Sequence, residues 1–284
     1  MSDLVRTDML MVASRPKRFV FISDLHFDCC RLPLTSDEES VEDEQSLERE
    51  DFFIEFVKEH YANDILILAG DYYTDYERSL AFVKKLETAE ITCYFVLGNH
   101  DYASDNRTTF LQIRNLFDFE TSAHEHCKLL LTGKKYYHED VCIIGDTGWN
   151  LSSNNKKPRR GNYSINHFKN SLFEAEGKKW IKFATDVLAQ EKKVLIVNHF
   201  PQAVFPQPEF DFCDIGWSEA TLLLEPTLCW KIFGHTHQRG LFRYENNVCS
   251  QQGYKMRRIN PDYRVFDKSE FGMLEKSIPI ALTK

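Results

Sequence analysis

The sequence predicts an α/β layered fold, on three observations. Short, largely apolar runs rich in β-branched and aromatic residues recur along the chain. Stretches with helical apolar spacing lie between them. The chain has 284 residues, 43% of them apolar, so one large core is within reach and global disorder is excluded.

The strand-like runs are Phe19–Ile22, Ile65–Ala69, Thr92–Leu97, Val141–Ile144, Val194–Val197 and Trp230–Phe233, the last interrupted by Lys231. Largely apolar runs of this length suit strands buried on both faces. The segment 51–61 places Phe52, Phe53, Phe56 and Val57 on one helical face. The segment 77–86 does the same with Leu80, Phe82, Val83 and Leu86, and 180–188 with Ile181, Ala184, Val187 and Leu188. Residues 240–253 predict a hairpin turning at Glu245-Asn246-Asn247. Thr35–Asp51 is strongly acidic and reads as a solvated loop or helix face. Trp149–Gly161, polar and basic, reads as a long loop. No internal repeat or linker divides the chain. A single domain over 1–284 is expected, with a core of about 17–255, an N-terminal arm 1–16 and a C-terminal tail 260–284 without periodicity.

Composition narrows the function. The net charge of −8 argues against a general nucleic-acid coat or a membrane-surface protein, both of which need clustered Lys and Arg. No run approaches the roughly 20 apolar residues of a membrane span. The eight cysteines form no CxxC pair, and several sit inside apolar runs, such as Cys142 and Cys229. Buried free thiols in a reducing cytoplasm are expected, not a disulfide framework.

Five polar clusters follow the apolar runs. Asp24-Leu25-His26 comes just after Phe19–Ile22, and Gly70-Asp71 after Ile65–Ala69. Gly98-Asn99-His100-Asp101 follows Thr92–Leu97, Asn198-His199 follows Val194–Val197, and Gly234-His235-Thr236-His237 follows Trp230–Phe233. Asp24-Leu25-His26 alone is weak, and Gly70-Asp71 alone could be a helix N-cap. Their shared position is informative, because ligand sites in α/β sheets lie at the C-terminal ends of strands. Several buried carboxylates and imidazoles at one edge need a compensating partner, and metal ions supply one. Of ten histidines, 26, 100, 199, 235 and 237 fall in these clusters. The others (60, 124, 126, 138, 167) read as surface or core residues.

DLH, GD, GNHD, NH and GHTH, in this order, resemble the calcineurin-like metallophosphoesterase family over residues 19 to about 253. The resemblance implies a four-layer α/β/β/α sandwich of two mixed β-sheets flanked by helices. It assigns one divalent metal to Asp24, His26 and His237, a second to Asn99, His199 and His235, and a bridging role to Asp71. Mixed nitrogen and oxygen ligands suit Mn, foremost, or Fe or Zn. His100 matches the family's catalytic histidine, which stabilises the transition state or protonates the leaving oxygen; Asp101 would hold its ring and tautomer. The implied reaction is in-line hydrolysis of a phosphodiester or phosphomonoester by a metal-activated water. A small phosphoester is the expected substrate, with no stable nucleic-acid or membrane partner. Phosphoprotein phosphatase, nuclease (through Lys156, Lys157, Arg159 and Arg160) and non-enzymatic scaffold are the alternatives. Tyr72-Tyr73, where many relatives carry a short apolar residue, could stack a base, although core packing is favoured. Residues 27–70 exceed a minimal strand–helix–strand link, so an insertion is expected there.

Overall fold

The computed structural model describes residues 18–28, 39–103, 109–149, 170–200, 229–235, 240–244, 247–251 and 278–279. Two sheets form the centre. In chain order the elements are β1 (Arg18–Ile22), α1 (Glu39–Tyr61), β2 (Ile65–Leu68), α2 (Tyr76–Thr88), β3 (Cys93–Phe95), α3 (Phe110–Thr121), β4 (Cys127–Leu129), β5 (Tyr136–His138), β6 (Val141–Asp146), α4 (Asn170–Gln190), β7 (Val194–Asn198), β8 (Cys229–Phe233), β9 (Gly240–Tyr244), β10 (Asn247–Gln251) and β11 (Ile278–Pro279). The first sheet has the order β11-β1-β2-β3-β4 and the second β5-β6-β7-β8-β10-β9. Strands β1 to β4 run parallel, as do β6, β7, β8 and β10; β11, β5 and β9 are antiparallel edges. Both sheets are therefore mixed.

The period-2 alternation of strands assigns the layers. Phe19, Phe21, Ile65, Ile67, Val96 and Leu130 from the first sheet meet Val141, Ile143, Leu195, Val197 and Ile232 from the second. The alternate residues Val20, Ile22, Leu66, Leu68, Phe95 and Leu129 face outward onto Phe53 and Val57 of α1, Phe82 and Leu86 of α2, and Ile113 and Phe117 of α3. On the far side, Cys142, Ile144, Val194 and Ile196 pack on Trp180, Ala184 and Val187 of α4. Three apolar seams thus hold four layers in the order α/β/β/α.

The structure extends the sequence reading in several places. Of the two readings of the acidic segment the structure shows the helix: α1 begins at Glu39, takes in residues 39–51 and ends at Tyr61. The amphipathic half, 51–61, supplies the buried face, and the acidic half extends an already nucleated helix. Helix α3 is an addition to the expected elements, although Thr109 and Gln112 form a capping box at its start. The tail is not wholly featureless, since Ile278–Pro279 adds an edge strand beside Arg18 and Phe19, at the end of β1 remote from Asp24. The expected hairpin is present, pairing Tyr244 with Asn247. The cysteines 93, 127, 142 and 229 are buried free thiols. The arm 1–16 and loop residues 150–161 lie outside the described residues.

Candidate metal centre

The clusters after β1, β2, β3, β7 and β8 converge at the C-terminal ends of parallel strands from both sheets. Two triads of potential ligands result. Asp24, His26 and Asp71 form one, and Asp71, His199 and His235 the other, each with ligand atoms within 4.8 Å of one another. Asp71 belongs to both. The structure also brings Asn99 in: its Oδ1 lies 3.0 Å from His199 Nε2 and 3.0 Å from His235 Nδ1. His237 lies outside the described residues.

The loops reach these positions through backbone that ordinary residues avoid. Asp24 (φ 55°), His26 (φ 40°), Asp71 (φ 58°) and His235 (φ 71°) all adopt left-handed backbone. The loops stabilise one another. Asp24 N donates to Gly70 O (2.9 Å), His26 N to Asp71 O (3.1 Å) and Gly234 N to His199 O (2.9 Å). His235 N donates to both oxygens of Asp24, at 3.0 Å each, and Ser23 Oγ donates to Asp24 Oδ2 at 2.6 Å. Gly98 permits the closest approach. A Cβ there would lie 2.1 Å from Asp71 Oδ1, so any larger residue collides with the shared carboxylate.

The donor set fits divalent cations. Asp71 is fully buried, and its Oδ1 accepts from His100 N at 2.8 Å. Its Oδ2 faces two imidazoles, 3.6 Å from His26 Nε2 and 3.3 Å from His199 Nε2. His199 Nδ1 sits 2.8 Å from Ala69 O and must donate to that carbonyl. In the neutral ring this leaves a lone pair on Nε2, aimed at Asn99 Oδ1 and Asp71 Oδ2, which are acceptors themselves. Acceptors converging on acceptors in a buried space require a positive charge between them, which either a proton on Nε2 or a metal cation can supply. A backbone carbonyl fixing one ring nitrogen while the other faces the site is the arrangement that prepares a histidine for a metal. The same field shows in the protonation tendencies. Burial alone would raise the Asp71 carboxyl, but the imidazoles of His199, His100 and His26 hold it well below its usual range. Burial works against a charged His199, but the Asp71 charge overrides it and pushes the ring up to about 9. Oxygen and imidazole donors without thiolate suit Mn, Fe or Zn in an open site.

His100 stands at the rim, partly exposed, with its ring edge-to-face on His26 at 4.9 Å between centroids. Phe200, directly after His199, packs 4.4 Å from the His235 ring and 5.3 Å from Trp149, making an apolar wall that the sequence reading did not single out. One expectation is borne out and one moves. Tyr72 and Tyr73 are buried: Tyr72 donates to Val96 O at 2.6 Å and Tyr73 to Glu50 at 2.6 Å, so they pack the core rather than stack a base. Asp101 directs its carboxylate to the Asp71 loop, not to the His100 ring. Burial and the nearby Asp71 charge push it up to about 7, against the pull of its hydrogen bonds.

A two-sheet sandwich with a shared-carboxylate ligand cluster at its strand ends defines a dinuclear metallohydrolase architecture. The sequence profile of the calcineurin-like phosphoesterases matches residues 17–239, and the chain belongs to that family, whose members generally hydrolyse phosphoesters with two divalent metals. Among solved structures, the phosphopantetheinyl hydrolase of Mycobacterium tuberculosis superposes with a TM-score of 0.53 at 15% identity, covering 89% of this chain and 99% of that one. The protein TT1561 of Thermus thermophilus superposes with a TM-score of 0.51 at 11% identity, covering 84% and 90%. These likenesses establish the fold. A comparison with curated protein sequences finds no match.

Proposed function

We propose that this protein hydrolyses a small phosphoester, diester or monoester, with two divalent cations, Mn²⁺ foremost. The observation that carries the reading is Asp71: a buried carboxylate shared by two ligand triads, with Oδ2 facing an imidazole of each. Asp24 and His26, with Asp71, would hold one cation, and Asn99, His199 and His235, again with Asp71, the other; His237 is proposed for the first on the motif alone. Bound cations would supply Lewis acidity and a lowered water pKa.

The chain's own groups do the rest. His100 is placed beside the triads but partly open to solvent, so its ring can meet a substrate while its N–H holds Asp71 Oδ1. An imidazole there can donate to a phosphoryl oxygen as charge builds, or protonate the departing oxygen. Asn99, after a strand of the first sheet, and His199, after a strand of the second, are both buried and form the inner wall of the site. A cytoplasmic location is part of the proposal. It is supported by the buried free thiols Cys93, Cys127, Cys142 and Cys229.

The test is chelator-stripped protein assayed with p-nitrophenyl phosphate and bis-p-nitrophenyl phosphate. Turnover that returns with Mn²⁺ is expected. No turnover of either compound with Mn²⁺, Fe²⁺ or Zn²⁺ would leave a metallophosphoesterase-fold scaffold instead. A screen of cyclic nucleotides, dinucleotides, phospholipid headgroups and phosphopeptides then separates the small-phosphoester reading from phosphoprotein phosphatase and nuclease.

A further inference from the structure

Asp101 directly follows the candidate catalytic His100, but its side chain turns away from that ring. It is completely buried, and both of its oxygens are engaged. Oδ2 accepts from Asp71 N at 2.8 Å and from Gly98 N at 2.8 Å. Oδ1 accepts from Tyr72 N at 2.9 Å and from Ser79 Oγ at 2.7 Å. Three elements meet on this one carboxylate: the loop after β2, the loop after β3 and the first turn of α2.

We propose that Asp101 is a positioning residue for the shared metal ligand Asp71, not for the His100 ring. The proposal rests on the reading that the Asp71 centre holds divalent cations. Asp71 sits at φ 58°, a left-handed backbone state that a non-glycine residue keeps only where its surroundings over-determine it. Asp101 supplies that constraint, because it takes the amides of Asp71 and of the residue after it. The tie is reciprocal. Asp101 accepts from Asp71 N, and Asp71 Oδ1 accepts from His100 N, the amide next door. Two loops from adjacent strands are thereby locked carboxylate-to-amide in both directions, which aims Asp71 Oδ2 into the space between His26 and His199.

Placing a second buried carboxylate beside Asp71 is costly unless its charge is used. Hydrogen bonds from three amides and one hydroxyl offset part of that cost. The remaining negative potential adds to the attraction that Asp71 and Asp24 exert on a cation. A neutral Asn in the same shape fails twice. Its NH₂ group must face either two backbone amides or an amide and the Ser79 hydroxyl, and the charge is gone.

The experiment compares wild type, Asp101→Asn, His100→Ala, the double variant and Ser79→Ala. Mn²⁺ affinity is measured by calorimetry, the fold of stripped protein by far-UV circular dichroism, and kcat with bis-p-nitrophenyl phosphate. Asp101→Asn is expected to bind Mn²⁺ about 10–100-fold more weakly at unchanged dichroism, the range typical for outer-shell partners of metal ligands. Its loss in kcat should multiply with that of His100→Ala, as for groups acting through different atoms. Unchanged Mn²⁺ affinity, or a double variant no worse than His100→Ala, overturns the proposal and returns Asp101 to the His100 ring. If Asp101→Asn does not fold, Ser79→Ala decides, since it keeps the charge and the three amides. A several-fold weaker Mn²⁺ affinity supports the proposal and an unchanged one overturns it. Wild type that binds no divalent cation overturns the metal reading itself, and the role of Asp101 with it.

Discussion

Replacing Gly98 by Ala adds one methyl group, and its effect can be worked from the site geometry. The new Cβ would stand 2.1 Å from Asp71 Oδ1, 2.6 Å from Asp71 N and 2.8 Å from Asp71 Cγ. Ordinary contact begins at 3.4 Å, so the carboxylate must retreat by about 1.3 Å. Metal–ligand distances tolerate about 0.2 Å, so the shared ligand is lost to at least one cation. Gly98 has no left-handed φ, so the Ala backbone is unstrained and the collision is isolated as the cause. Overpacking of this kind costs about 1–3 kcal/mol, which lowers the Tm of stripped protein by several degrees. The decisive assay is the further rise in Tm on adding Mn²⁺. A cation at a hundred times its Kd stabilises wild type by about 2.7 kcal/mol per site, and this increment should largely disappear in Gly98→Ala. Gly133→Ala is the matched control. Gly133 has φ 96° with nothing within 4 Å of an added Cβ, so Ala there strains the backbone away from the site and should leave the Mn²⁺ increment intact. A Gly98→Ala protein that keeps the full increment refutes the claim that Asp71 is a metal ligand held at closest approach.

Asp71→Asn should lose most bound metal and nearly all activity, because one residue serves both triads; two tightly bound Mn²⁺ ions with full turnover would remove Asp71 from the centre. His100→Ala should keep its metal yet fall about 10²–10⁴-fold in kcat, and metal loss would instead make His100 a ligand. Trp180→Ala, at a fully buried site under the second sheet, should cost about 3–5 kcal/mol in urea unfolding while leaving Mn²⁺ affinity unchanged; a large fall in affinity would show that the α4 layer shapes the centre. Glu87 reports on acid stability away from the site. Burial would raise its carboxyl, but the amides of Cys127, Glu125 and His126 bring it below its ordinary value. A carboxyl with a lowered folded pKa contributes stability above its unfolded pKa of about 4.3 and loses it as the pH falls through the folded value. Glu87→Gln should therefore flatten the acid limb of the stability curve below that point, and an acid limb that overlays wild type would remove Glu87 from this role.

The centre was legible because each ligand stands at the end of an apolar run, where chain order alone announces a sheet edge. Asp24, Asp71, Asn99, His199 and His235 could be grouped without coordinates for that reason. What escaped depends on approach in space. The Asp101 carboxylate looks like a partner for its neighbour His100, and only the nearness of the Asp71 loop redirects it. Ser79 lies in a helix with no motif around it, and only the meeting of α2 with the loop after β3 gives it a role. Strand β5, of intermediate to exposed residues, has no apolar pattern to read. Strand β11 exists through its pairing with β1, and its Pro279 sits where an edge strand tolerates a missing donor. Helix α3 is a different case: Thr109-x-x-Gln112 was a readable start signal, and its apolar residues 110, 113 and 117 follow with helical spacing.

Strain and ligand placement coincide in this fold. Six non-glycine residues among those described have positive φ, and four of them are Asp24, His26, Asp71 and His235. At about 1–2 kcal/mol each, these conformations would relax if the loops were free. Their amides are instead tied across the strands, Asp24 to Gly70 and His26 to Asp71, and then across the sheets, where His235 N donates to Asp24 and the His199 ring is held on Ala69 O. The second set matters most. It joins loops whose strands touch only through the apolar seam of Phe19, Phe21, Ile67, Leu195 and Val197. The ligand geometry is therefore set by how that seam packs, because a shift of one sheet against the other would separate His199 and His235 from Asp71 before it broke any strand pairing. This gives a physical reason for building the centre from both sheets. Each sheet alone offers an incomplete donor set, and the packed sandwich holds the acceptors together against their mutual repulsion until a cation can relieve it.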